Sequence, residues 1–179
     1  MEYLVTMTTH VPEGTADEAV DAVRAREATH SRELAAQGHL LRLWRPPLRP
    51  GEWRTFGLFA ADDRDQLEQV LASMPLRIWR TDQVTPLGPH PNDPALAPAA
   101  SENTREFLTM FSITLPAGAP SQIIEDIEAR EAERVGELAR QGHLFRLWKL
   151  PGQGQTLGLW RARDTAGMQA IVASLPLNA

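Results

Sequence analysis

The chain has 179 residues, a net charge of −5, 42% hydrophobic and 23% charged residues, and no cysteine. That length holds one large domain or two of about 90 residues; the acidic balance leaves no basic face for nucleic-acid phosphates, and the lack of cysteine excludes disulfides, a thiolate nucleophile and Cys-type zinc sites. No apolar run approaches the roughly 20 residues of a membrane span and no signal-peptide pattern opens the sequence, so a cytoplasmic protein without a membrane or nucleic-acid partner is expected.

Residues 2–11 read as a strand. Thr15-Ala16-Asp17-Glu18 is a capping-box signature that opens a helix, and Gly38 is its C-terminal stop. On a wheel of about 100° per residue, Val20, Val23 and Leu34 fall within about 40° of Glu27, which puts a carboxylate in the middle of an apolar stripe. Residues 39–45 and 55–60 pair as a hairpin, with Leu40, Arg42 and Trp44 expected on one face and His39, Leu41, Leu43 and Arg45 on the other. Asp62 or Asp63 caps a short helix that carries Leu67, Val70, Leu71 and Met74 on one side, and residues 79–87 supply a fourth strand.

The pattern then repeats. QGHLLRLW at 37–44 returns as QGHLFRLW at 141–148, and the offset of 104 also brings Ala25-Arg26-Glu27-Ala28 onto Ala129-Arg130-Glu131-Ala132. After the RLW segment the offset is 101, so that Ser73-Met74-Pro75-Leu76 meets Ser174-Leu175-Pro176-Leu177. Residues 1–93 form the first copy, a Pro/Ala-rich linker spans 94–104, and 105–179 form a second copy without a partner for the fourth strand. A βαββαβ order is ferredoxin-like. The expected class is α+β, two such repeats covering each other's bare sheet face as in a dimeric α+β barrel. The missing strand leaves a sheet edge, which predicts a homo-oligomer, at least a dimer.

A core-facing glutamate is desolvated unless paired, and burial moves its pKa toward the range useful in a general acid/base. The alternative is a structural pair with an arginine such as Arg42 or Arg146. Those arginines, inside strands flanked by apolar residues, want an anion, either a protein carboxylate or a substrate carboxylate. Trp44 and Trp148 serve as core or as ligand platforms; His39 and His143 follow a helix-ending glycine and serve as capping, surface or catalytic residues. No metal-ligand spacing, phosphate loop or nucleophile elbow is present.

Met7-Thr8, Val11-Pro12, Glu27, Gly38 through Leu43-Trp44-Arg45, Met74-Pro75-Leu76 and His90-Pro91 together resemble the muconolactone Δ-isomerase family. The resemblance implies a cofactor-free enzyme that moves a proton across a small unsaturated lactone carrying a carboxylate. It makes Glu27, and Glu131 through the repeat, the proton carriers, and gives Arg42 and Arg45 to the substrate carboxylate. The wider substrate-binding set is Arg42, Trp44, Arg45, His39, His90, Arg146, Trp148 and His143. Two other readings stand beside it: another enzyme on the same barrel, such as a cyclase or cofactor-free oxygenase, or a non-catalytic small-molecule binding module.

Overall fold

The computed structural model describes residues 1–94, 104–114, 118 and 120–178. The expected linker at 94–104 lies outside them apart from Pro94 and Thr104. The chain divides into two compact units, Met1–Leu87 and Gly88–Ala179.

In the first unit, β1 (Glu2–Thr9) is followed by α1 (Asp17–Ala36), β2 (Leu40–Trp44), β3 (Arg54–Ala60), α2 (Arg64–Ser73), a 3₁₀ turn (Pro75–Trp79) and β4 (Arg80–Pro89), whose last two residues count with the second unit. The strands lie in the antiparallel order β2-β3-β1-β4. Alternation along β1 sends Tyr3, Val5 and Met7 to one face, where they pack with Leu34 of α1 and Leu67, Val70 and Leu71 of α2. Asp63 caps α2 by accepting a bond of 2.8 Å from Gln66 N.

The start of α1 differs from the capping-box expectation. Thr15 Oγ1 donates to the Pro12 carbonyl at 2.7 Å, so the hydroxyl is turned back into the preceding loop; Ala16 takes the N-cap without a side-chain bond. Asp17 and Glu18 in the first turn favour the positive end of the helix instead.

The repeated QGH tripeptide is a helix stop. Gly38 sits at φ +80°, its N–H bonds Ala35 O at 3.1 Å, and His39 N–H bonds Leu34 O at 2.9 Å. A left-handed residue after the last turn satisfies the carbonyls a helix end exposes, and glycine does this without a Cβ penalty. Gly142 and His143 repeat the arrangement, with His143 N–H on Leu138 O at 2.8 Å.

The strand after the stop is bulged. Leu40 pairs with Phe59 but Arg42 with Leu58, leaving Leu41 as the extra residue. The bulge inverts the alternation, so Leu40 shares a face with Leu43, while Arg42 shares the opposite face with Trp44. That corrects the grouping of Leu40 with Arg42 and Trp44.

The second unit contains β5 (Arg105–Ser112), α3 (Ser121–Arg140), β6 (Leu144–Lys149), β7 (Gln155–Ala162), α4 (Thr165–Ala173) and a 3₁₀ turn (Pro176–Asn178). Its strands run β6-β7-β5, and Gly88 and Pro89 pair with Lys149 and Trp148 along the other edge of β6. The bulge recurs at Phe145. Val135, Leu138, Leu144, Leu147, Trp160 and Met168 form the core. Trp160 lies over Gly158 and donates to Thr109 Oγ1 at 2.8 Å; any side chain at 158 would occupy the indole's place. Among the described residues no strand follows α4.

Candidate functional site

Each unit has a pocket bordered by its long helix, and each pocket has the expected glutamate in its wall. The first, of about 580 Å³, is lined by Glu27, Arg24 and Arg32 from α1, Arg42 and Arg45 from β2 and its exit, and Arg80 from β4, among apolar residues such as Met7 and Leu76. The second, of about 650 Å³, is lined by Glu131 and Glu128 from α3, Lys149 from β6, His90 after β4, and Trp160 and Leu177.

Helical periodicity placed both glutamates correctly. Glu27 is largely buried, its side chain 13% exposed, and Glu131 is half-buried. The turn after each short helix supplies one backbone donor: Leu76 N–H reaches Glu27 Oε2 at 2.8 Å, and Leu177 N–H reaches Glu131 Oε2 at 3.0 Å. Beyond that shared bond the two differ. Glu27 Oε1 accepts from Arg80 Nη1 at 3.3 Å, while Arg80 also grips Asp82 through Nε at 2.6 Å and Nη2 at 3.0 Å. Asp82 in turn pairs with Arg77 at 2.6 Å. The arginine beside Glu27 is therefore Arg80, not Arg42 or Arg146. Among the described residues nothing takes Arg80's place beside Glu131. Burial raises the Glu131 carboxyl above its ordinary value, and the Leu177 N–H opposes this only in part.

The remaining expected residues divide. Arg42 and Arg45 line the first pocket and His90 the second. His39, Trp44, His143, Arg146 and Trp148 line neither. His39 Nδ1 donates to Ala60 O at 3.2 Å and His143 Nδ1 to Arg161 O at 3.1 Å, tying each helix stop to the neighbouring strand. Arg146 turns to Asp93 at 3.1 Å, and Leu147 N–H bonds the same carboxylate at 2.7 Å; Trp148 is buried in the second unit, with the Arg146 guanidinium 4.8 Å from its ring centre. His90 sits beside Lys149; burial first, then that cation, lowers its pKa, with Asp93 opposing.

Three residues of this chemistry escaped sequence reasoning. Arg80 and Asp82 are an i, i+2 pair on one face of a strand, a spacing that was available as a signal. Lys149 stands at the repeat position of Arg45 and was visible as its charged counterpart. Among the described residues no cluster of His, Asp and Glu could hold a metal ion, and no helix is long and apolar enough to cross a membrane.

Comparison with known proteins gives this geometry a family. Muconolactone Delta-isomerase 1 of Acinetobacter lwoffii is 29% identical over 92 residues, 51% of this chain and 93% of that protein. A crystal structure of muconolactone isomerase is 24% identical, covering 51% of this chain and 92% of its own, with a TM-score of 0.46. Over nearly the whole chain, a chlorite dismutase-like protein aligns at a TM-score of 0.57 and 12% identity, covering 99% of this chain and 86% of its own. That last likeness is one of fold, and the class is the expected one: α+β, with two ferredoxin-like repeats. The muconolactone delta-isomerase family model matches residues 1–93 and again 105–179, and the chain belongs to that family.

Proposed function

We propose that the protein is a cofactor-independent isomerase that moves a proton within a small unsaturated lactone bearing a carboxylate. The observation that carries this reading is the recurrence, in the walls of two pockets, of a glutamate that accepts one backbone N–H from the turn after the short helix. A carboxylate so placed can act as base and then as acid. It removes a proton from the saturated ring carbon at the far end of the C=C from the lactone carbonyl, and the C–H electron pair moves through the C=C into the carbonyl as a dienolate. The protonated carboxyl then returns the same proton to a different carbon, the double bond shifts, and no electrons are gained or lost. Arginine or lysine at the pocket wall (Arg42 and Arg45 in one, Lys149 in the other) suits the substrate carboxylate. The apolar lining limits exchange of the proton with water.

The test is isomerisation of muconolactone-like lactones, followed by absorbance and by deuterium incorporation from heavy water. Wild type should isomerise them, and the Glu27→Gln/Glu131→Gln double variant should lose about 10²–10⁴-fold in turnover, the usual contribution of general acid/base groups. Undiminished isomerisation by that double variant, with the fold intact by circular dichroism, would overturn the assignment.

A further inference from the structure

The two pockets are not chemical copies. Both carboxylate oxygens of Glu27 are occupied, Oε2 by the Leu76 N–H and Oε1 by the Arg80 guanidinium. That guanidinium is 2% exposed and Asp82 beside it is 3% exposed. A proton placed on Glu27 would cancel one half of an ion pair and leave the largely buried Arg80 with Asp82 as its one charged partner among the described residues. A group that must alternate between base and acid during each turnover is poorly served by such a partner, because each proton it took would break a buried ion pair.

Glu131 is free of that clamp. Oε2 takes the Leu177 N–H, and no cation stands within ion-pairing distance among the described residues. The titratable groups around its pocket are Glu128 on the same helix, Lys149 on β6 and His90 after β4. Lys149 lines the pocket where a substrate carboxylate would need a cation, and the His90 pKa is lowered by burial first and then by Lys149. Burial shifts Glu131 in the direction a proton shuttle needs.

We infer that proton transfer is confined to the second unit's pocket, with Glu131 as its acid/base, and that Arg80 is the residue that withdraws Glu27 from the chemistry. The inference rests on the isomerase reading, and it makes Arg80 a positioning residue that acts through Glu27. Removing Arg80 together with Asp82 should therefore release Glu27 into a setting like that of Glu131, held by one backbone N–H alone. Arg77 keeps Glu68 as a partner when Asp82 goes.

The experiment uses the full-length protein with ¹³C-labelled glutamate, in which the carboxyl signals of Glu27 and Glu131 are assigned by their loss in the two Gln variants. Glu131 should titrate at the higher pH. In kinetics, Glu131→Gln should lower turnover at least about a hundredfold. Adding Arg80→Met/Asp82→Leu to it should restore at least about tenfold, and Glu27→Gln on top should remove the restored activity. Glu27 titrating at or above Glu131, or a Glu131→Gln variant with more than half of wild-type turnover, would overturn the inference. Should the Met/Leu change prevent folding, the titration order and the Glu131→Gln rate still decide it. Should wild type turn over no lactone, the isomerase reading falls while the titration order still reports whether Arg80 sets the two carboxylates apart.

Discussion

Glu131 is buried enough to lose hydration and meets one backbone N–H in return, so its carboxyl titrates above its ordinary value of 4.5 in the folded protein. The native state then binds more protons than the unfolded state between those two values, and stability falls as pH rises across the interval. Stability from this group is fully present below the unfolded value and is lost as pH passes the folded one. Chemical denaturation at several pH values should show Glu131→Gln gaining on wild type from pH 4.5 upward. His90 works in the opposite sense: its pKa lies below 6.5, so folding loses stability as pH falls through that region, and His90→Asn should flatten that slope. At Arg80 the burial is deeper. Arg80→Ala strands Asp82 and part of Glu27 and should cost roughly 3–5 kcal/mol, whereas Arg80→Met/Asp82→Leu, which removes the charges together, should cost far less; paired denaturant melts separate the two. The glutamates were legible in the sequence because a 3.6-residue period fixes a helix face. Arg80 was not, because its contact with Glu27 spans 53 positions and depends on where a strand begins.

Two devices set the geometry of each helix–strand corner: a left-handed glycine and a bulge one residue beyond the first strand position. The glycine was readable as a stop signal. The bulge was not, since nothing in LLRLW or LFRLWK breaks the alternation by composition; the shifted register shows it only once β3 and β7 are in place. That is why Arg42 and Trp44 were correctly grouped with each other yet wrongly grouped with Leu40. Gly38→Ala and Gly142→Ala should each cost about 1 kcal/mol, the usual penalty of a side chain in the left-handed region. Gly158→Ala should cost more, because Trp160 and its bond to Thr109 must give way in a packed core. Thermal melts of the three variants give the order directly.

At the scale of the molecule, the fold was legible through the repeat, since two copies of one hydrophobic pattern must bury the same faces. What the repeat did not foretell is which copy His90 serves. It follows the first copy in sequence but borders the pocket of Glu131. Among the described residues β5 pairs on one side only, with β7, and Met110 on it is 75% exposed. An open strand edge invites pairing with another chain, so the protein should sediment as a homodimer, and Met110→Lys should shift it toward the monomer; a monomeric wild type at micromolar concentration would count against this. The segment Gly88–Asp93 has a consequence for how the gene could be cut. Its backbone pairs with β6, its His90 borders the pocket, and its Asp93 holds Arg146 and the Leu147 amide. A fragment starting at Arg105 would contain every residue of the second repeat and still be missing one wall of its own site. Duplication made the two halves alike in text, but it left them unable to be parted where the text divides: the second half borrows from the first, and a severed version would have to carry Gly88 onward with it.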